Sequence, residues 1–183
     1  MNATFMVFAT QFTLSLLSFG LIARWVIYPR LRERSLRDAL TPLLLFETLR
    51  TIGLLVIVPG LVDAALPSAF GVPAAVGDMI AVVLAFVALV AVRSGWRVAP
   101  ALVWLFTLEG LADFINATAQ GLRFNIPNYH LGIAWLIPTY GVPAFTMAQV
   151  MVIALLWRSG RQRPAGDREL AVDVPERLKA SIS

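Results

Sequence analysis

The chain has no cysteine and a single histidine. Without thiols there is no disulfide, no thiolate nucleophile and no cysteine-held iron-sulfur cluster, and the redox compartment leaves no mark on the sequence. A lone imidazole, His130, cannot supply two-histidine haem ligation or a histidine-rich metal centre within one chain. No glycine-rich phosphate loop, His-Glu-x-x-His helix or nucleophile elbow is found. Residues 1–10 carry no basic side chain, so a cleaved signal peptide is not expected and the first apolar run should be retained. These absences leave no catalytic residue, cofactor or metal site to name, and weigh against an enzyme.

Charge is also scarce. Only 14% of the 183 residues are charged while 58% are hydrophobic, and the mean hydropathy of +0.77 lies far outside the range of an ordinary soluble domain. Five apolar runs, 5–27, 41–62, 72–92, 100–122 and 131–157, are long enough to cross a hydrocarbon core, which needs about 20 helical residues. The expected fold is therefore all-α, an integral membrane bundle of five transmembrane helices spanning residues 1–158. Residues 159–183, rich in Arg, Asp, Glu, Pro and Gly, read as a disordered cytoplasmic tail.

The net charge of +4 is carried by arginines that flank the spans. Arg24, Arg30, Arg32, Arg34 and Arg37 follow the first span, Arg93 and Arg97 the third, and Arg158, Arg161 and Arg163 the fifth, whereas the other side keeps only Arg123. Short cytoplasmic loops collect such residues, so the N-terminus should lie outside and the C-terminus in the cytoplasm. Trp25, Tyr28, Trp96 and Trp157 fall at the inner interface, Tyr129 and Trp135 at the outer one. Arginines placed this way imply contact with the lipid bilayer and no nucleic-acid partner.

Within the spans, polar residues are few. Gln11, Ser15 and Ser18 share one face of span one, as residues that glue packed helices together do. Tyr28-Pro29 should end that span, and Thr41-Pro42, a hydroxyl before a proline, should open the second. Span five carries Pro138 and Pro143 around Thr139, Tyr140 and Gly141; each proline frees a backbone carbonyl that needs a partner, so Thr139 and Tyr140 are candidate polar groups exposed at a kink.

The most informative residue is Arg50, deep in span two and one turn beyond Glu47. Span four carries Glu109, Asp113, Asn116 and Gln120, and span three carries Asp78 about one turn below the outer surface. A central Arg or Asp costs roughly 2.5 to 3.5 kcal/mol on insertion scales, so these groups should face the bundle interior and pair. Counted from Pro42 and Pro100, Arg50 and Glu109 lie at depths of about 12 and 13.5 Å. Arg50 should then pair with Glu109, Asp113 or both. Four acids against one arginine imply that at least one, Asp113 or Glu109, carries a proton. The candidate ligand or ion-pair network is thus Glu47, Arg50, Asp78, Glu109, Asp113, Asn116 and Gln120.

Several segments of spans two to five, namely Leu49-Arg50-Thr51-Ile52-Gly53-Leu54, Val103-Trp104-Leu105-Phe106, Gly110-Leu111-Ala112-Asp113, Gln120-Gly121-Leu122-Arg123 and Ala134-Trp135-Leu136-Ile137-Pro138-Thr139, resemble those of a group of small uncharacterised bacterial membrane proteins. The resemblance implies a multi-pass protein of the bacterial inner membrane and no particular activity. The leading expectation is a bundle whose Arg50 network lines a polar cavity that binds or passes a small solute, a proton or an amphiphile. The alternatives are a structural or assembly subunit with a membrane protein partner, and a lipid-acting membrane enzyme using Glu109 or Asp113 as acid or base.

Overall fold

The computed structural model describes residues 3–161, which form five long helices joined by short turns, with no strand among the described residues. All five are long and apolar enough to cross a membrane. We number them α1 (Ala3–Leu31), α2 (Leu36–Ile57), α3 (Ser68–Ser94), α4 (Ala99–Arg123) and α5 (Gly132–Arg161). The chain runs up and down, so Arg30, Arg37, Arg93, Arg97 and Arg158 gather at one end, here called the basic end, and Arg123 lies at the other. The segment expected to begin at 159 starts inside α5, and 162–183 lie outside the described residues.

Helix α1 continues past Tyr28-Pro29 instead of stopping there. The proline lacks an N–H, and the chain absorbs the loss in a π-turn, Ala23–Ile27, in which the Tyr28 N–H reaches back five residues to Ala23 O. Helix α2 begins six residues before the expected Thr41-Pro42. Ser35 caps it: the Asp38 N–H donates to Ser35 Oγ at 3.2 Å and the Ser35 hydroxyl donates to Asp38 Oδ2 at 2.7 Å. A side-chain cap outweighs the proline signal here, and Pro42 is carried inside the helix.

Beyond Glu47, α2 tightens into a 3-10 helix over Thr48–Ile57. Such segments seldom exceed three or four residues, and ten in a row mark a constrained stretch. With three residues per turn, side chains at i and i+3 eclipse, so Glu47, Arg50 and Gly53 form one straight row. All three are buried.

Helix α3 is central and packs on both α2 and α4. Its buried face is a run of small residues, Ala81, Ala85, Ala88 and Ala91, which lets neighbouring backbones approach closely. It ends at Gly95, whose φ of 69° is the left-handed value that a helix stop favours, while the Trp96 N–H returns to Ala91 O at 3.0 Å. Helix α4 follows after a short turn and lies antiparallel against α3. Near the basic end, Leu40, Leu44, Val103, Phe106, Val152 and Leu155 close a dry core with the alanine stripe. A smaller cluster, Ile126, Leu131 and Ala134, closes the far end, where the Asp63 N–H also donates to His130 O at 2.8 Å.

Helix α5 opens with a 3-10 turn, Gly132–Trp135, and a π-turn, Ile137–Gly141, before settling into α-helix. The prolines at 138 and 143 account for this winding: the Val142 N–H reaches Ile137 O five residues back, and the Thr139 hydroxyl donates to Trp135 O at 2.7 Å. Helix α1 packs on α5 and on the turn Ile126–Asn128, with at most marginal contact to α3 and α4. Of the polar stripe on α1, Gln11 accepts from Trp135 Nε1 at 2.7 Å and Ser15 is buried.

Candidate functional site: a buried guanidinium beneath an apolar cavity

Arg50 is the largest completely buried side chain among the described residues. Its Nε donates to Asp78 Oδ1 at 2.9 Å and its Nη2 to Asp113 Oδ2 at 2.5 Å. The guanidinium carbon stands 4.1 Å from the centroid of the Phe114 ring, where the π face adds attraction for a cation. One planar fork thus bridges α2 to both α3 and α4, which a lysine ammonium could not do with the same geometry.

Three glycines make the arrangement possible. A Cβ at Gly53 would overlap Asp78 Oδ2, one at Gly77 would overlap Asp113 Oδ1, and one at Gly110 would overlap Gln149 Nε2 and stand 3.0 Å from Arg50 Nη1. In each case the missing methyl is the space a polar side chain occupies. Arg50 Nη1, both polar atoms of Gln149 and both carboxyl oxygens of Glu47 are buried without a protein hydrogen-bond partner. Glu47 sits one 3-10 turn below Arg50, on the side of the basic end.

Of the two partners expected on α4 the arginine takes Asp113, and Asp78 lies deeper than expected; helix geometry explains both. Counting from Leu36, with about 1.5 Å per residue to Glu47 and about 2.0 Å thereafter, raises Arg50 to about 22 Å above the start of α2. Asp113 lies about 21 Å above the start of α4 and Glu109 only about 15 Å, so the guanidinium meets Asp113 and passes Glu109 by. Glu109 is half-buried, and its Oε2 is buried without a partner. Asp78 is not one turn below a surface. It is ten residues into α3, about 15 Å deep, which puts it level with Arg50.

The other candidates stand apart from the ion cluster. Asn116 is exposed, and Gln120 is half-buried with its Oε1 unpartnered. Neither lines the cavity described below. Thr139 is fully buried and spends its hydroxyl on its own helix, while Tyr140, 44% exposed, faces outward. Sequence reasoning passed over Gln149, Phe114 and the three glycines. Gln149 was discoverable as the one amide in the apolar run of α5; the glycines acquire meaning only from neighbouring helices.

Above the cluster, toward the far end, lies a cavity of about 310 Å³. Its walls are almost wholly apolar: Phe5, Phe8 and Phe12 of α1 face Phe70 and Ala74 of α3 and Ala117 of α4. Asp78 and Asp113 line it where it reaches the cluster, and Arg50 does not. Helix α1 is the side wall, fixed by the Gln11–Trp135 hydrogen bond and by Phe8 set edge-on to the Trp135 ring at 5.6 Å. Among the described residues, no three His, Asp or Glu side chains are grouped to hold a metal ion.

Over the described residues, fold and site together define an all-helical bundle, with five helices long and apolar enough to cross a membrane, built around a buried arginine and two aspartates. The chain belongs to a family described as a domain of unknown function, DUF8737, whose model matches residues 7–157. No curated protein and no solved structure matches it.

Proposed function

We propose that this is a multi-pass protein of the bacterial inner membrane, N-terminus outside and C-terminus in the cytoplasm, that binds a small amphiphile in the cavity above Arg50. The arginine bias of the loops supports the orientation, and the sequence resemblance supports the bacterial setting. One observation carries the functional reading: two carboxylates form the polar end of an otherwise apolar cavity of about 310 Å³, near the lower limit of small-molecule sites, about 300 to 1,000 Å³. A cluster that served only to hold helices together would need no cavity at its edge. Apolar walls with a few convergent polar groups are the usual composition of a ligand site.

Helix α1 gives the cavity a side wall whose other face is exposed, so a ligand dissolved in the bilayer can reach it by displacing one lightly held helix. The test is to purify the full chain, exchange it into nanodiscs, and compare native protein with Arg50→Ala and with Ala117→Trp. Ala117→Trp fills the cavity and leaves the ion cluster in place. Retention of a co-purified amphiphile by native protein, and its loss from a monodisperse Ala117→Trp variant, is the expected result. Equal ligand content in both would refute the reading.

A second reading rests on Glu47 and Gln149. These buried, unpartnered groups extend the polar cluster about one turn from Arg50 toward the basic end, a start on a proton path that the apolar core beyond them would have to open to complete. Proton flux into liposomes that is abolished by Glu47→Gln would support it. Flux equal to that of protein-free liposomes would remove it.

A further inference from the structure

The polar end of the cavity has a definite sign. Asp78 and Asp113 face the cavity while the Arg50 guanidinium, which lies behind them, has no exposed surface. Two acidic side chains line the cavity against one guanidinium behind them, and Glu47 below adds a further carboxyl rather than a cation. An entering head group therefore meets acceptor oxygens first. A carboxylate or phosphate head would meet the aspartates, with the cluster's guanidinium, Arg50, screened from it. A protonated amine would gain charge-assisted hydrogen bonds, which are about twice as strong as neutral ones.

Size restricts the tail. The aromatic walls of α1 and the small residues opposite, Ala74, Ala117 and Gly121, bound a space suited to one chain rather than the paired chains of a phospholipid. Thr13 and Thr118 are the other polar residues on the lining, so beyond the carboxylates the ligand is held by apolar contact. We infer that the cavity takes a single-chain amphiphile with a protonated amine head seated on Asp78 and Asp113. This rests on the amphiphile reading above and fixes its chemical class.

The experiment uses three photoreactive ten-carbon probes differing only in head group, an amine, an alcohol and a carboxylate, applied to the full chain in phosphatidylcholine nanodiscs. Labelled positions are mapped by mass spectrometry. The amine should label lining positions such as Phe70, Ala117 and Leu122, and unlabelled amine should compete about tenfold better than the alcohol, the ratio expected when a neutral hydrogen bond is exchanged for a charge-assisted one. The carboxylate should not compete. Asp113→Asn should erase the preference for amine while the alcohol still labels, and Ala117→Trp should remove labelling by all three. Equal labelling by amine and alcohol overturns the head-group assignment and leaves the cavity reading intact. Labelling of no lining position by any probe overturns both. Loss of amine labelling when phosphatidylethanolamine replaces phosphatidylcholine would assign the amine to a phospholipid and contradict the single-chain ligand.

Discussion

Replacing a helical glycine by alanine ordinarily stabilises a protein by about 1 kcal/mol, because alanine is the better helix former. At Gly77, in the middle of α3, the sign should reverse. A Cβ there overlaps Asp113 Oδ1, and that carboxylate cannot simply swing away because Arg50 Nη2 holds its other oxygen at 2.5 Å. Breaking a buried pair so that one charge is stranded costs about 3 to 5 kcal/mol. Subtracting the helix gain leaves a net loss of about 2 to 4 kcal/mol for Gly77→Ala. Equilibrium unfolding of the purified protein in mixed micelles, followed by tryptophan fluorescence, measures it. Gly20→Ala and Gly121→Ala serve as controls, since their nearest neighbours, Met147 Sδ at 3.6 Å and Phe70 Cε2 at 3.9 Å, are at ordinary contact distance. Both should be neutral or slightly stabilising. On an Asp113→Ala background, Gly77→Ala should recover the ordinary stabilising sign. A stabilising Gly77→Ala in the native protein would refute the packing of α3 against that carboxylate.

Gly53→Ala should destabilise for the same reason, through Asp78, and its cost should be absent in Asp78→Ala by the same unfolding assay. Arg50→Lys should not restore the stability lost in Arg50→Ala, because one ammonium cannot serve two carboxylates from the positions of Nε and Nη2; comparable stability of Arg50→Lys and native protein would contradict the bridging geometry. Trp135→Phe removes the hydrogen bond that ties α1 to α5 and should cost about 1 kcal/mol, with faster backbone hydrogen exchange in α1 than in α3. Ser35→Ala removes the cap of α2 and should cost about 1 kcal/mol.

The five helices and the centrality of Arg50 could be read from hydropathy, because length and apolarity identify a span and a lone guanidinium within one demands partners. What could not be read follows from geometry that periodicity does not encode. Thr41-Pro42 reads as the start of α2, whereas Ser35 caps the helix six residues earlier, and that difference shifts the arginine by more than a helical turn. The 3-10 stretch adds further height and aligns Glu47, Arg50 and Gly53 in one row, yet nothing in Thr48–Ile57 distinguishes it from an α-helical apolar run. Together these settle the choice on α4 in favour of Asp113 and bring Arg50 level with Asp78. The glycines at 53, 77 and 110 look like ordinary small membrane residues until the carboxylates and the amide packed against them are located.

The double-mutant cycle between Arg50 and Asp113 bears most directly on the whole account. Unfolding free energies of Arg50→Ala, Asp113→Ala and the pair should show strong non-additivity. Arg50→Ala leaves both aspartates without their cation, whereas Asp113→Ala leaves Arg50 paired with Asp78; removing Asp113 from the Arg50→Ala protein relieves one stranded acid, giving a coupling of about 2 kcal/mol or more. Additivity within about 0.5 kcal/mol would mean that the two residues do not interact, and the polar end of the cavity would have to be redrawn.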